Sequence, residues 1–329
     1  MENHSCRRFE LAGAVSVAVL VSLASLSVQS ASSEDQPAEA AIRNIIELAQ
    51  ASGSGELGNQ VVNQALSRAT SLAEGQVDEW IPTFELSAQV THEGKPVFGM
   101  LGLVPLVEDE HELLFTQGSI FHSDDRSTVN LGLGYRWLVS DDKVLLGANA
   151  FYDHEFPYDH RRASIGLEAR ASVAELNMNF YEGLSGWRSG RDGLNERAMD
   201  GYDLEVGVDL PYMPSVRAYA RHFEWNAIDG ATDLKGTRYS LAGSFYPGVT
   251  VEVGRNNYQD SSQQDANFAK LTVDLVELAR GSARSTPLLS DTAYRLDSMR
   301  DQRYQKVRRE NIIQKQTSGG SFTATVSGI

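Results

Sequence analysis

The chain has 329 residues with one Cys, nine Pro and 28 Gly; 22% of residues are charged and the formal net charge is −15. This composition excludes collagen-like, disordered and disulfide-scaffold classes, and the acidic balance argues against nucleic-acid binding, which needs a basic face. A mean hydropathy of −0.31 excludes a polytopic helical membrane protein but not a β-barrel, in which only alternate strand residues need be apolar.

Arg7 and Arg8 precede an apolar run from Leu11 to Val28, which gives way to the small residues Ser30 and Ala31. This pattern reads as a secretory signal peptide over 1–31, with a retained signal anchor as the other reading. Cys6 lies on the wrong side of the run for a lipoprotein cysteine. Cleavage would therefore leave a mature chain with no thiol for a disulfide, a metal site or a nucleophile. Residues 32–81 are expected to form a periplasmic helical segment. Ala41, Ile45, Ile46, Leu48 and Ala49 give one partial stripe, Val61, Val62, Ala65, Leu66, Ala69 and Leu72 a second, and Ser52-Gly53-Ser54-Gly55 separates them.

From Pro82 the hydrophobic period falls to two. Val129, Leu131, Leu133, Tyr135 and Trp137 alternate with Asn130, Gly132, Gly134 and Arg136; Ile165, Leu167 and Ala169 alternate with Ser164, Gly166, Glu168 and Arg170. Such strands have one apolar face and one that meets water or compensating charge. The pattern predicts strands over 83–92, 97–106, 111–121, 127–138, 143–153, 162–170, 174–182, 200–208, 215–224, 236–246, 249–258 and 267–275. Most approach the roughly 9–11 residues that a tilted strand needs to cross a bilayer, about twice the soluble average. Even-numbered strands mostly lead into short turns, odd-numbered ones into longer polar loops such as 183–199, 225–235 and 259–266. Aromatics recur near strand ends at Tyr135, Trp137, Tyr152, Tyr202, Phe245 and Tyr246, as interfacial girdles require. A solvated antiparallel sandwich is the competing fold, and strand length and aromatic placement weigh against it.

The expected fold is all-β: a twelve-stranded antiparallel transmembrane β-barrel over 82–279, with a short N-terminal helical segment and a C-terminal linker tail over 280–329. It would lie in the outer membrane, in contact with its lipid, with its N-terminus periplasmic. Charges on the polar face would line the lumen; Arg136, Glu168, Arg170, Asp203, Glu205 and Arg238 are the candidates, with opposite charges on neighbouring strands either paired or independent and solvated. Residues 280–329 carry nine Lys and Arg against four acids, while 31–279 carries a net −20. The basic tail is then either held in an acidic lumen or solvated near anionic surfaces.

No enzyme is expected, and no cofactor or metal. The densest candidate constellation is Asp153, His154, Glu155, Asp159 and His160, whose oxygen and imidazole groups suit a divalent metal or an activated water. Its stronger reading is a solvated loop with a turn at Pro157. A hydrolase would need a His beside a Ser nucleophile, and spacing alone establishes no such pair.

Leu114-Phe115-Thr116-Gln117 followed by Asn130-Leu131-Gly132-Leu133-Gly134-Tyr135-Arg136, then Gly147-Ala148-Asn149-Ala150-Phe151-Tyr152-Asp153 with His160-Arg161-Arg162, form an ordered series with Leu184-Ser185-Gly186-Trp187 and Gly201-Tyr202-Asp203-Leu204. Over roughly 82–279 this series resembles the β-domain of inverse autotransporters, the intimin/invasin family. The resemblance implies a barrel that exports and anchors a C-terminal passenger, usually an adhesin, with a linker through the pore. Val307-Arg308-Arg309-Glu310-Asn311-Ile312-Ile313 is similar to the family's motif after the barrel. The resemblance also implies a barrel-assembly machinery and periplasmic chaperones as partners. About fifty residues follow the last predicted strand, with no adhesin repeat among them, so a vestigial passenger, a separate passenger of unknown identity, a stand-alone small pore and an outer-membrane hydrolase stay open as alternatives.

Overall fold

The computed structural model describes residues 81–91, 96–259, 263–280 and 287–318, together with the backbone of 322–323. The predicted signal peptide and the predicted helices before residue 81 lie outside the described residues.

Period-two alternation becomes strand throughout. The described chain forms β1 (Thr83–Thr91), β2 (Val97–Glu108), β3 (Glu112–Ser123), β4 (Arg126–Val139), β5 (Val144–Phe156), β6 (His160–Ala171), β7 (Ala174–Gly183), β8 (Arg188–Ser189) and β9 (Asn195–Ala198). It continues as β10 (Asp200–Leu210), β11 (Met213–Asn226), β12 (Leu234–Tyr246), β13 (Val249–Tyr258), β14 (Ala266–Asp274), β15 (Lys315–Thr317) and β16 (Phe322–Thr323). Twelve of these strands, all but β8, β9, β15 and β16, pair antiparallel with their neighbours, and β1 pairs with β14 to close a barrel. Closure leaves no unpaired barrel edge, so each strand's backbone groups are satisfied without water.

Each barrel strand begins and ends within three residues of its predicted bounds. The last one differs in a telling way. Strand was expected to Leu275 and barrel to Ala279, but Leu275–Ala279 is a short helix, α1. The Asp274 carboxylate accepts hydrogen bonds from the backbone N–H groups of Val276 and Glu277, an N-cap that ends the strand and turns the chain.

Five connections at one end of the barrel, here the turn end, have only two to four residues: 109–111, 140–143, 172–173, 211–212 and 247–248. The opposite, loop end carries the longer ones, including the sixteen residues 184–199, although 124–125 and 157–159 there are also short. At the loop end β16, β15, β9 and β8 form a separate four-stranded sheet.

Alternation sorts the two faces. Leu131, Leu133, Ile165 and Leu167 point outward and are 55–63% exposed, whereas their inward neighbours Asn130, Arg136, Ser164 and Glu168 are buried. Space inside is tight where the inward glycines of β4 meet aromatic rings. A Cβ on Gly134 would sit 2.1 Å from the Phe115 ring, and one on Gly132 would sit 2.3 Å from the Phe151 ring.

Candidate functional site

The lumen is occupied by the chain's own tail. After α1, residues 290–304 follow the rim of the turn end. Tyr212 of the β10–β11 turn exchanges backbone hydrogen bonds with Ser290 and Ala293, at 2.9 and 3.2 Å. In the β6–β7 turn, Ser172 Oγ donates to the Arg295 carbonyl and accepts from the Asp297 N–H. Met299 N–H donates to Asp142 O in the β4–β5 turn, and Arg300 pairs with Asp142 and Glu110. Arg303 reaches Glu108 and the Asp109 carbonyl at the β2–β3 turn. Thr83 Oγ1 donates to the Tyr304 carbonyl at 2.6 Å, where the chain turns inward.

From Gln305 the tail runs extended toward the loop end, and the wall meets it residue by residue. Arg136 donates to the Gln305 carbonyl, Arg170 to that of Lys306 and Gln117 accepts from the Val307 N–H. Arg308 grips Glu205 at 2.5 Å, and its guanidinium lies 3.9 Å from the centre of the Tyr219 ring. Arg309 reaches both carboxylate oxygens of Asp153. Tyr181 OH accepts from the Glu310 N–H, Asn130 donates to the Asn311 carbonyl, and Arg162 donates to the carbonyls of Glu310 and Ile312. Lys315 pairs with Glu155, and its backbone joins Ala198 in the β9–β15 ladder. Burying so many ions is costly unless each is paired and hydrogen-bonded. Here the wall and the tail satisfy one another: the tail's backbone takes arginine donors, and its arginines take wall carboxylates.

The six lumen charges singled out from the sequence are all buried in this interior. Three meet: Glu168 lies between Arg136 at 2.6 Å and Arg170 at 2.8 Å, and Arg170 also approaches Glu175. Asp203 takes Arg221, Asn179 and Tyr181, while Glu205 goes to the tail. Arg238 bonds Asn256 and faces the Phe268 ring. The sequence assigns no lumen role to Arg126, Arg162 or Arg221, and Arg308 and Arg309 enter it only through the basic tail and its motif after the barrel. Arg162 was findable, since it shares parity with Ser164, Gly166 and Glu168.

The Asp153–His160 run is not one loop. Asp153, His154 and Glu155 belong to β5 and His160 begins β6, with only Asp159 in the turn. Strand alternation sends Asp153 and Glu155 into the lumen and His154 outward, which splits the set. Among the described residues no group of three or more His, Cys, Asp or Glu side chains is arranged to hold a metal.

At the loop-end mouth Arg126 bridges Glu155 and Glu196, both at 2.8 Å, and His160 Nε2 lies 3.4 Å from Glu196. Burial opposes ionisation of Glu196, but hydrogen bonds from His160 and Arg126 outweigh it and hold the carboxyl down at about 2. The other imidazole nitrogen of His160 is 3.4 Å from Ser185 Oγ. Ser185, His160 and Glu196 thus have the composition of a hydrolytic triad. Yet all three are buried, Ser185 Oγ already accepts from the Arg161 N–H, and Glu196 is occupied by Arg126. The constellation fastens the 184–199 loop over the loop-end mouth.

On the outer flank of the same end, Asp159 binds His154 at 2.7 Å, Arg161 at 3.1 Å and Arg188 at 2.5 Å. Burial works against its ionisation, but the His154 hydrogen bond and the two arginines prevail and lower its pKa.

Residues 40–311 match the sequence family described as inverse autotransporter, beta-domain. The chain belongs to the inverse autotransporter β-domain family. Among its relatives in this family, the putative attaching and effacing protein homolog of Escherichia coli K12 is 31% identical over 46% of the chain and 52% of its own length. The inverse autotransporter adhesin YeeJ of the same strain is 27% identical over 77% of the chain, which corresponds to 11% of that protein. Invasin of Yersinia enterocolitica is 27% identical over 59% of the chain and 25% of its own length. The chain therefore spans about half or less of these curated relatives. A chain solved in a study of the in-meso crystallization of membrane proteins superposes on this inverse autotransporter β-domain protein with a TM-score of 0.59 at 19% identity, over 72% of this chain and all of that one.

Proposed function

We propose that this barrel anchors a C-terminal segment in the outer membrane and delivers it to the cell exterior through the lumen, without chemistry of its own. The observation that carries the reading is the path of residues 305–317. They enter among the short turns, cross the whole interior bonded to the wall, and leave beneath the longest loop as strand β15. Short turns are expected on the periplasmic side of such barrels and long loops outside. That polarity supports a periplasmic N-terminus and an exterior tail. Outer-membrane lipid, a barrel-assembly machinery and periplasmic chaperones are the partners this reading requires.

An epitope added after Ile329 tests it. Antibody binding on intact cells, together with a faster-migrating unboiled band from the outer-membrane fraction, is the expected result. An epitope accessible only after outer-membrane permeabilisation would overturn the export reading while leaving the barrel standing.

A further inference from the structure

Exposed cations at the loop-end rim are generally matched by acids. Lys235 faces Glu224 and Asp233, Arg191 faces Asp124 and Asp125, and Arg255 faces Asp265. One place breaks the pattern. Arg161 and Arg188 share the single carboxylate of Asp159, both on its Oδ2, and His154 takes its Oδ1. The two side chains are 40% and 34% exposed, and Asp159 holds them side by side. Among the described side chains, no second acid pairs with either.

The ground beneath them is apolar and aromatic. On β5, Tyr152 and Phe156 point outward at 45% and 43% exposure, with His154 between them and stacked on Phe156 at 4.2 Å. Outward Ile165 and Leu167 of β6 continue this face down the wall. Above it, Leu184 and Trp187 of the long loop are exposed. An aromatic band surmounted by paired arginines fits a molecule with acyl chains below and phosphate above: rings settle at the interface, and guanidinium forks bind phosphate oxygens.

We infer that this flank is a binding site for a phosphate-bearing glycolipid of the outer leaflet, its phosphate held by Arg161 and Arg188 and its chains along Tyr152 and Ile165. The inference rests on the orientation proposed above, which puts the loop end in that leaflet. Asp159 acts as the positioning group, aligning the two arginines while leaving a net positive charge for the ligand.

The test uses the full chain folded into phosphatidylcholine nanodiscs, with fluorescent lipid A as probe. R161Q/R188Q is expected to lower lipid A retention about tenfold, the scale of losing charge-assisted contacts to phosphate. K235Q, on the same rim, should leave retention unchanged, and an unaltered gel shift on heating verifies that each variant is folded. Retention that survives R161Q/R188Q in a folded barrel overturns the site. So does displacement by millimolar inorganic phosphate, which identifies an anion site rather than a lipid site, or equal retention of phosphatidylglycerol, which removes the glycolipid assignment. Surface display of the C-terminal epitope is scored in parallel. A displayed epitope with no arginine-dependent lipid retention rejects this inference alone, and a hidden epitope rejects the orientation beneath it.

Discussion

Arg309 of the tail and Asp153 of β5 meet through two hydrogen bonds, at 2.6 and 2.9 Å, in a place where neither side chain has any solvent exposure. Asp153 also holds Arg162, at 2.8 Å, so one carboxylate neutralises a wall cation and a tail cation together. D153N would leave both guanidiniums short of an anion. It is expected to destabilise the folded barrel by about 3–5 kcal/mol, the usual cost of stranding a buried charge. Urea unfolding in detergent micelles, followed by the gel shift, measures it. Adding R309M to D153N should recover part of the loss, and the double-mutant cycle gives the coupling between wall and tail.

The tail fills the lumen, so removing it should open a conduit. A chain ending at Arg280 is expected to show a higher single-channel conductance in planar bilayers than the full chain. Equal conductance would mean that the wall side chains close the lumen without help from the tail.

Acid should loosen the loop-end mouth first. The Glu196 carboxyl is held at about 2, well below its ordinary 4.5, so its contribution to folding is complete above about pH 4.5 and disappears as the pH falls toward 2. Hydrogen exchange across 184–199 should accelerate in that window before the barrel strands respond. In E196Q the loop should already exchange faster at neutral pH and lose most of its dependence on acid.

Packing inside β4 leaves no room for a side chain at Gly134, where a Cβ would sit 2.1 Å from the Phe115 ring. G134V is expected to cost about 1–3 kcal/mol by overpacking, with F115A restoring part of it. Thermal gel-shift midpoints of the single and double variants provide the comparison.

The sequence carried the barrel strands in its alternation because each runs nine residues or more, long enough for period two to stand out. Strands β8, β9 and β15 have two to four residues and could not be seen that way. Inward parity was legible for Arg136, Glu168 and Asp203, and so was the contrast between an acid-rich barrel and a basic tail. The choice of partner was not. Glu205 goes to Arg308 rather than to a neighbouring strand because the tail's path brings Arg308 to it, and that path depends on rim contacts nearly a hundred residues further along the chain. The Asp153–His160 stretch differs for the opposite reason: its residues are adjacent in sequence, but strand geometry turns successive side chains to opposite faces and separates them in space.

Tension applied to the tail from the loop end is felt first in the lumen, where Arg308, Arg309 and Lys315 reach sideways to the wall and are strained together rather than one after another. Whatever passes Gln305 arrives at Arg303 and Arg300, where the chain bends to follow the rim. There the load is shared among the turns joining β2 to β3, β4 to β5, β6 to β7 and β10 to β11, as friction spreads along a rope wound on a bollard. Little of the pull is left to reach β14, the strand whose loss would unzip the wall.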